Sequence, residues 1–327
     1  FGHGVLGKGG GEVVGSVIDR TARGVLDNSA GTVVASAGDL ALQAGQVMNG
    51  TGGVLQSSAS VTLTTDTLQN AGGTVLAKAG DLTVLSPEGV AGTVDNGAGT
   101  LQAGGAIILP FSTLNNAGGS ILALGDSLTL AGTTASVVAN ANGKIESNGT
   151  LSLTAGRYTT QEPVSDATLP ASRLAAAGDM ILTLSDQVQN SGFIAAGRSL
   201  TLTADSAAND AGAVIASTAG NLALNLSGAH GLENAGTIQS TGAGGTLKIG
   251  TQSLENTATG GILSNGAQIL NVSGTLANAG EITAYGNPLI INSGSVTNSN
   301  LLLAGSDLTL STTGNVTNTG LVYGKMN

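Results

Sequence analysis

The chain has 327 residues, of which 53 are Gly, none is Cys or Trp, 9% are charged and 2% are aromatic. Ten Lys and Arg stand against 20 Asp and Glu, a net charge of −10 that argues against a nucleic-acid or anionic-membrane partner. Without Cys there are no disulfides or thiolate metal sites, and so few aromatics leave a core of Leu, Ile, Val and Ala.

The first residue, Phe1, is not an initiator Met, so a piece of a longer parent chain is expected. Residues 1–24 are Gly-rich and out of step with the rest of the chain, readable as one degenerate coil. Within them Gly2-His3-Gly4-Val5-Leu6-Gly7-Lys8 has the spacing of a phosphate loop, but Gly9 stands where a Ser or Thr would hold magnesium. From Val25 one phrase then recurs. An apolar residue, Asn, a small residue and Gly are followed by an apolar pair, another Gly and a Leu-x-Leu element. It is clearest at Leu68 to Val84, Leu114 to Leu130 and Val188 to Leu202.

The recurring Asn stands at Asn28, Asn49, Asn70, Asn96, Asn116 and Asn140, then at Asn190, Asn209, Asn234, Asn256, Asn278, Asn298 and Asn318. Leu-x-Leu elements keep step with it, from Leu40-Ala41-Leu42 through Leu82-Thr83-Val84 and the segment Ile269 to Val272 to Leu308-Thr309-Leu310. Apolar and small polar residues alternate in these elements, which is the strand period, and no segment has a helical one. Gly accepts positive φ and Asn tolerates it, so Asn-x-Gly marks corners between short strands.

A unit this short buries its apolar face only by stacking on its neighbours. The predicted fold is all-β: a right-handed parallel β-helix, or solenoid, of about 13–14 coils with repeats of about 19–26 residues. Asn at one corner of each coil would form a ladder of stacked amides. Residues 25–154 and 173–327 read as coils of one continuous solenoid. Residues 155–172, where the Asn register falls silent, read as an inserted loop containing Pro163 and Pro170. Arg157, Tyr158, Glu162 and Asp166 are its candidate partner-binding residues.

Catalytic motifs fare poorly against the repeat. Gly125-Asp126-Ser127-Leu128 spells an esterase nucleophile motif, yet it is the same corner as Gly38-Asp39-Leu40 and Gly305-Ser306-Asp307-Leu308. The only histidines are His3 and His230, neither in a triad-like setting. Asp39, Asp81, Asp126, Asp179 and Asp307 share that corner as a sparse acidic row, read as solvated turns with weak cation or glycan contact as the alternative. No catalytic residue, cofactor or metal is expected.

The phrase L-x-N-x-G-x-[LIV]-x-A-x-G-x-L-x-L resembles the hemagglutinin repeats of filamentous hemagglutinin-type exoproteins, which include contact-dependent inhibition proteins, of two-partner secretion systems. The likeness covers roughly Val25 to Tyr323, with a gap at 155–172. It implies export through an outer-membrane two-partner transporter, a secreted or bacterial cell-surface location, and a shaft that mediates adhesion or presents a toxin. The implied partner is a target-cell receptor or glycan. That family's amino-terminal secretion domain, with its Asn-Pro-Asn motifs, is not among these residues; Asn287-Pro288-Leu289 only grazes the motif. The alternative function is a carbohydrate-active β-helix enzyme of the polysaccharide lyase or hydrolase type.

Overall fold

Alternation of apolar and small polar residues sets each strand on edge, one row of side chains inward and one outward. In Val61–Thr64 the two apolar side chains are buried and the two threonines half-exposed, and Leu200–Ala204 repeats the arrangement. The computed structural model describes residues 11–22, 24–87, 92–160 and 172–325, and every regular element among them is a β-strand. The strands pair in parallel, coil on coil, as a β-solenoid with about 21 residues per turn. The chain divides into two compact units, Phe1–Leu174 and Ala175–Asn327.

In the first unit each coil contributes three strands. One sheet stacks Glu12–Gly15, Thr32–Ala35, Val54–Ser57, Thr74–Ala77, Thr100–Ala103, Ser120–Ala123 and Lys144–Ser147 in that order. The Leu-x-Leu strands stack beside it, from Ile18–Thr21 and Leu40–Gln43 up to Ser127–Ala131 and Thr150–Ala155. The third strand of the coil, ending at the Asn corner, runs from Val25–Asp27 and Gln46–Met48 up to Val137–Ala139 and Arg157–Thr159. Repeat-equivalent residues face one another throughout: Leu82 opposes Val61 on one side and Ile107 on the other.

The second unit has the same plan, with Phe193–Ala196 through Leu321–Gly324 as the first stack and Met180–Leu184 through Leu308–Thr312 as the second. Here the corner between the second and third strands flattens toward the carboxy-terminal side. Gln268–Asn278 and Leu289–Asn298 each run through it as one long strand, with a register shift between Val272 and Thr275.

Both units fill their interior with columns of Leu, Ile, Val and Ala; Leu40, Leu63, Leu82, Ile107, Leu128, Leu200, Leu224 and Ile249 are fully buried. Each such side chain contributes about 1.5–3 kcal/mol by leaving water. One column is broken. The inward positions of Gln268–Asn278 begin at Gln268, Leu270 and Val272, so the apolar strand read from Ile269 starts one residue earlier and Gln268 occupies a leucine's place, opposite Leu247 and Leu289.

Both segments that fall outside the Asn register carry strands. The opening segment carries regular strands, Glu12–Gly15 and Ile18–Thr21, in register with the next coil. No corner Asn precedes them, and Arg20 takes the position opposite Leu42, so the repeat is hard to see there. The segment 155–172 is not a loop from its first residue. Arg157–Thr159 is a strand paired with Val137–Ala139, and Tyr158 is fully buried in the core column rather than presented to a partner. Glu162, Asp166, Pro163 and Pro170 lie outside the described residues, as do His3 and the phosphate-loop-like stretch Gly2 to Lys8.

Candidate functional site: the asparagine corner

The third strand places an apolar residue inward, a polar one outward, and then Asn inward, as in Leu68-Gln69-Asn70. Period-two alternation therefore buries a carboxamide at the corner of each coil. Asn49, Asn70, Asn96, Asn116, Asn140, Asn190, Asn234 and Asn256 are fully buried, and Asn28, Asn209, Asn278 and Asn298 nearly so.

In the first unit Asn28 Nδ2 donates to Asn49 Oδ1 at 2.7 Å, Asn49 to Asn70 at 2.8 Å, Asn70 to Asn96 at 2.7 Å, Asn96 to Asn116 at 2.7 Å and Asn116 to Asn140 at 2.7 Å. In the second, Asn190 donates to Asn209, Asn209 to Asn234, Asn234 to Asn256, Asn256 to Asn278 and Asn278 to Asn298, each at 2.8 Å, and Asn298 to Asn318 at 2.7 Å. Every amide donates toward the following coil. The second N–H of each turns to backbone carbonyls: Asn49 to Thr74 O at 2.9 Å, Asn70 to Thr100 O at 3.0 Å. The task needs two donors and an acceptor on a short side chain. Asn supplies them, ionised Asp has no donor, and a hydroxyl has only one. Chains of such bonds in a low-dielectric interior polarise one another.

The glycine of the phrase answers to this packing. A Cβ on Gly73, Gly99, Gly119 or Gly143 would overlap the backbone carbonyl of the preceding coil's Asn. In the first unit the residue with left-handed backbone is a different one, two places after each Asn: Ala30 (φ 54°), Thr51 (φ 42°), Gly72 (φ 66°), Ala98 (φ 51°), Gly118 (φ 63°) and Asn142 (φ 53°). So the corner tolerates a side chain where φ is positive and forbids one where the coils touch.

The silent stretch of the register has a physical occupant. Asn140 Nδ2 donates to Tyr158 Oη at 3.2 Å and to Arg173 O at 3.1 Å, so a phenol ends the first unit's ladder. Thr160, following the strand at the corner position, is fully buried. Burial drives the Tyr158 phenol well above the ordinary tyrosine range, opposed only by the Asn140 amide. The period-two pattern of Arg157-Tyr158-Thr159, an inward residue between two outward ones, carried the signal. Beside it Arg173 and Glu146 form an ion pair at 2.5 Å.

The acidic corner has a structural use as well. Asp39 Oδ1 accepts Ser60 N–H at 2.9 Å, Asp81 Oδ1 accepts Ala106 N–H at 2.7 Å and Asp179 Oδ1 accepts Ser199 N–H at 2.9 Å. Asn221 does the same for Thr246 N–H at 2.8 Å. Each side chain satisfies a backbone donor as the next coil enters its Leu-x-Leu strand. Ser127, of the esterase-like motif, opens the strand paired with Thr150 at this corner. Among the described residues no group of three or more His, Asp or Glu is placed to hold a metal ion.

The coil-to-coil Asn chain runs on in the same register to Asn318. No curated protein and no solved structure matches the sequence. A family model described as the haemagglutinin repeat matches residues 4–86, 89–155 and 167–225. With more than half of its length in those segments, the chain belongs to the haemagglutinin-repeat family.

Proposed function

We propose that this chain is a non-enzymatic shaft segment of a large secreted exoprotein held at a bacterial surface, where it mediates adhesion or presents a toxin or receptor-binding region to other cells. The observation that carries this reading is where the polar residues of the repeat go. The ladder Asn, the corner Gly, and Asp39, Asp81 and Asp179 are engaged where one coil meets the next, as a supporting element requires. Family membership supports the same adhesin-like, structural role. Export through an outer-membrane two-partner transporter fits a chain whose coils add one at a time, each completed by contacts with its neighbour.

Intact cells of the source bacterium, probed with antibody against this chain, should give surface label that external protease removes. Label seen only after lysis would overturn the surface reading. The purified chain, incubated with acidic polysaccharides, should release no new sugar ends. Turnover above a heat-denatured control would instead make it a carbohydrate-active enzyme.

A further inference from the structure

Asn-Gly pairs are chemically fragile, and the chain has them at Asn49-Gly50, Asn96-Gly97, Asn142-Gly143, Asn148-Gly149 and Asn265-Gly266. In such a pair the glycine nitrogen, with no Cβ beside it, can attack Cγ of the preceding side chain. The N–Cγ bond forms, the Cγ–Nδ2 bond breaks, the attacking N–H gives up its proton and ammonia leaves. Water then opens the resulting succinimide to aspartate or isoaspartate. The reaction needs a carboxamide free to turn toward the main chain and solvent to carry ammonia away and bring water in.

These conditions differ sharply along the chain. Asn49 is fully buried, accepts from Asn28, and donates to Asn70 and Thr74 O. Asn96 is fully buried, accepts from Asn70, and donates to Asn116, Gly99 O and Ser120 O, while Gly97 N–H is held by Asp95 Oδ1 at 3.1 Å. Asn265 is exposed but anchored to Thr241 O at 2.8 Å, with Gly266 buried against Gly245 O. Asn142 is half-buried, and Gly143 N–H is tied to Asn140 O at 3.1 Å. Asn148 stands apart by its exposure together with a loosely held carboxamide: it lies at the corner between Lys144–Ser147 and Thr150–Ala155, its carboxamide makes one long bond, to Leu124 O at 3.3 Å, and Gly149 N–H donates to the Ser147 hydroxyl at 3.2 Å.

We propose that Asn148-Gly149 is a site of spontaneous deamidation, and that the amide ladder shields Asn49-Gly50 and Asn96-Gly97 from the same reaction. Conversion at Asn148 adds a carboxylate to a chain whose charge is already −10. Conversion inside the ladder would put an acceptor-only group against the carbonyls that Asn49 and Asn96 now serve. The ladder thus confines chemical ageing to an outer corner, where the coil stack survives it.

The test is to hold the purified chain at mildly alkaline pH and warm temperature for weeks, alongside a sample in concentrated urea, and track each pair by peptide mass spectrometry. Trypsin releases Ile145–Arg157, in which Asn148 is the only Asn. In the folded chain Asn148 should convert roughly tenfold or more faster than Asn49 and Asn96, because those react only through local opening of the coil. In urea the pairs should converge on similar rates. Asn148→Gln should remove the new acidic species on isoelectric focusing and leave the circular dichroism unchanged. Asn148 persisting in the folded chain while it converts in urea would overturn the site. Asn49 or Asn96 converting as fast as Asn148 in the folded chain would overturn the shielding.

Discussion

At the scale of single residues, the buried carboxamide decides most. Asn96→Ala should destabilise the first unit by about 2–4 kcal/mol in denaturant unfolding, since it takes the partner from the Asn70 donor and the Asn116 acceptor and removes the bonds to Gly99 O and Ser120 O. Asn96→Asp is nearly isosteric yet should cost more at neutral pH, because a buried carboxylate would face those carbonyls. Burial raises the carboxyl's folded pKa above its unfolded value of about 3.9, so the charge cost should vanish in acid and grow as pH rises through that value. Tyr158 makes an alkaline counterpart. Its folded pKa is raised, so stability should be full below the unfolded value of about 10 and fall as pH rises beyond it. In a near-ultraviolet titration Tyr158 should ionise only on unfolding. Tyr158→Phe should lose about 1 kcal/mol at neutral pH and remove this contribution to the alkaline loss. The Asn positions were legible in the sequence because one short side chain recurs at one place. The stacking of the amides followed from the repeat, but their burial and the single direction of their bonds did not, since these depend on how the closed coil turns each carboxamide.

At the scale of the element, strand and corner were readable and their exact register was not. Alternation located Leu82-Thr83-Val84 and Leu200-Thr201-Leu202, which lie within the strands Leu82–Leu85 and Leu200–Ala204, because their inward residues are apolar. It misplaced the strand at Gln268, where an inward glutamine hid the start of the pattern. It also took Tyr158 for a loop residue because prolines and charges come soon after it, although the stacked neighbour Val138 fixes it in the core. The acidic corner, read as solvated turns with weak cation or glycan contact as the alternative, has a further use that spacing does not reveal: the carboxylates of Asp39, Asp81 and Asp179 cap backbone N–H groups of the next coil. Gln268 is the exception that invites repair. It is fully buried and its Oε1 has no hydrogen-bond partner, so Gln268→Leu, matching Leu247 and Leu289, should raise stability by about 1–2 kcal/mol. Differential scanning calorimetry would register it as a higher melting temperature, and a lower one would mean that the amide is satisfied in solution.

At the scale of the whole molecule, coils touch only their neighbours, so stability is a sum of local terms. Damage should therefore stay local: hydrogen exchange in Asn96→Ala should speed up in the coils around Asn70 and Asn116 and leave strands near Glu12–Gly15 almost unchanged. Uniform acceleration throughout the first unit would indicate one cooperative block instead. The one-way ladder carries a consequence for inheritance. Each coil with a corner Asn offers lone pairs on one side and N–H groups on the other, so one such coil can succeed another, and one can be lost without leaving an unmatched face. Excising the 21 residues Gly50 to Asn70 would bring Asn49 onto Ala71-Gly72-Gly73, restoring a corner of the same kind. Length is then a quantity that recombination between repeats can change in whole steps, and lineages can lengthen or shorten the protein without inventing a new contact.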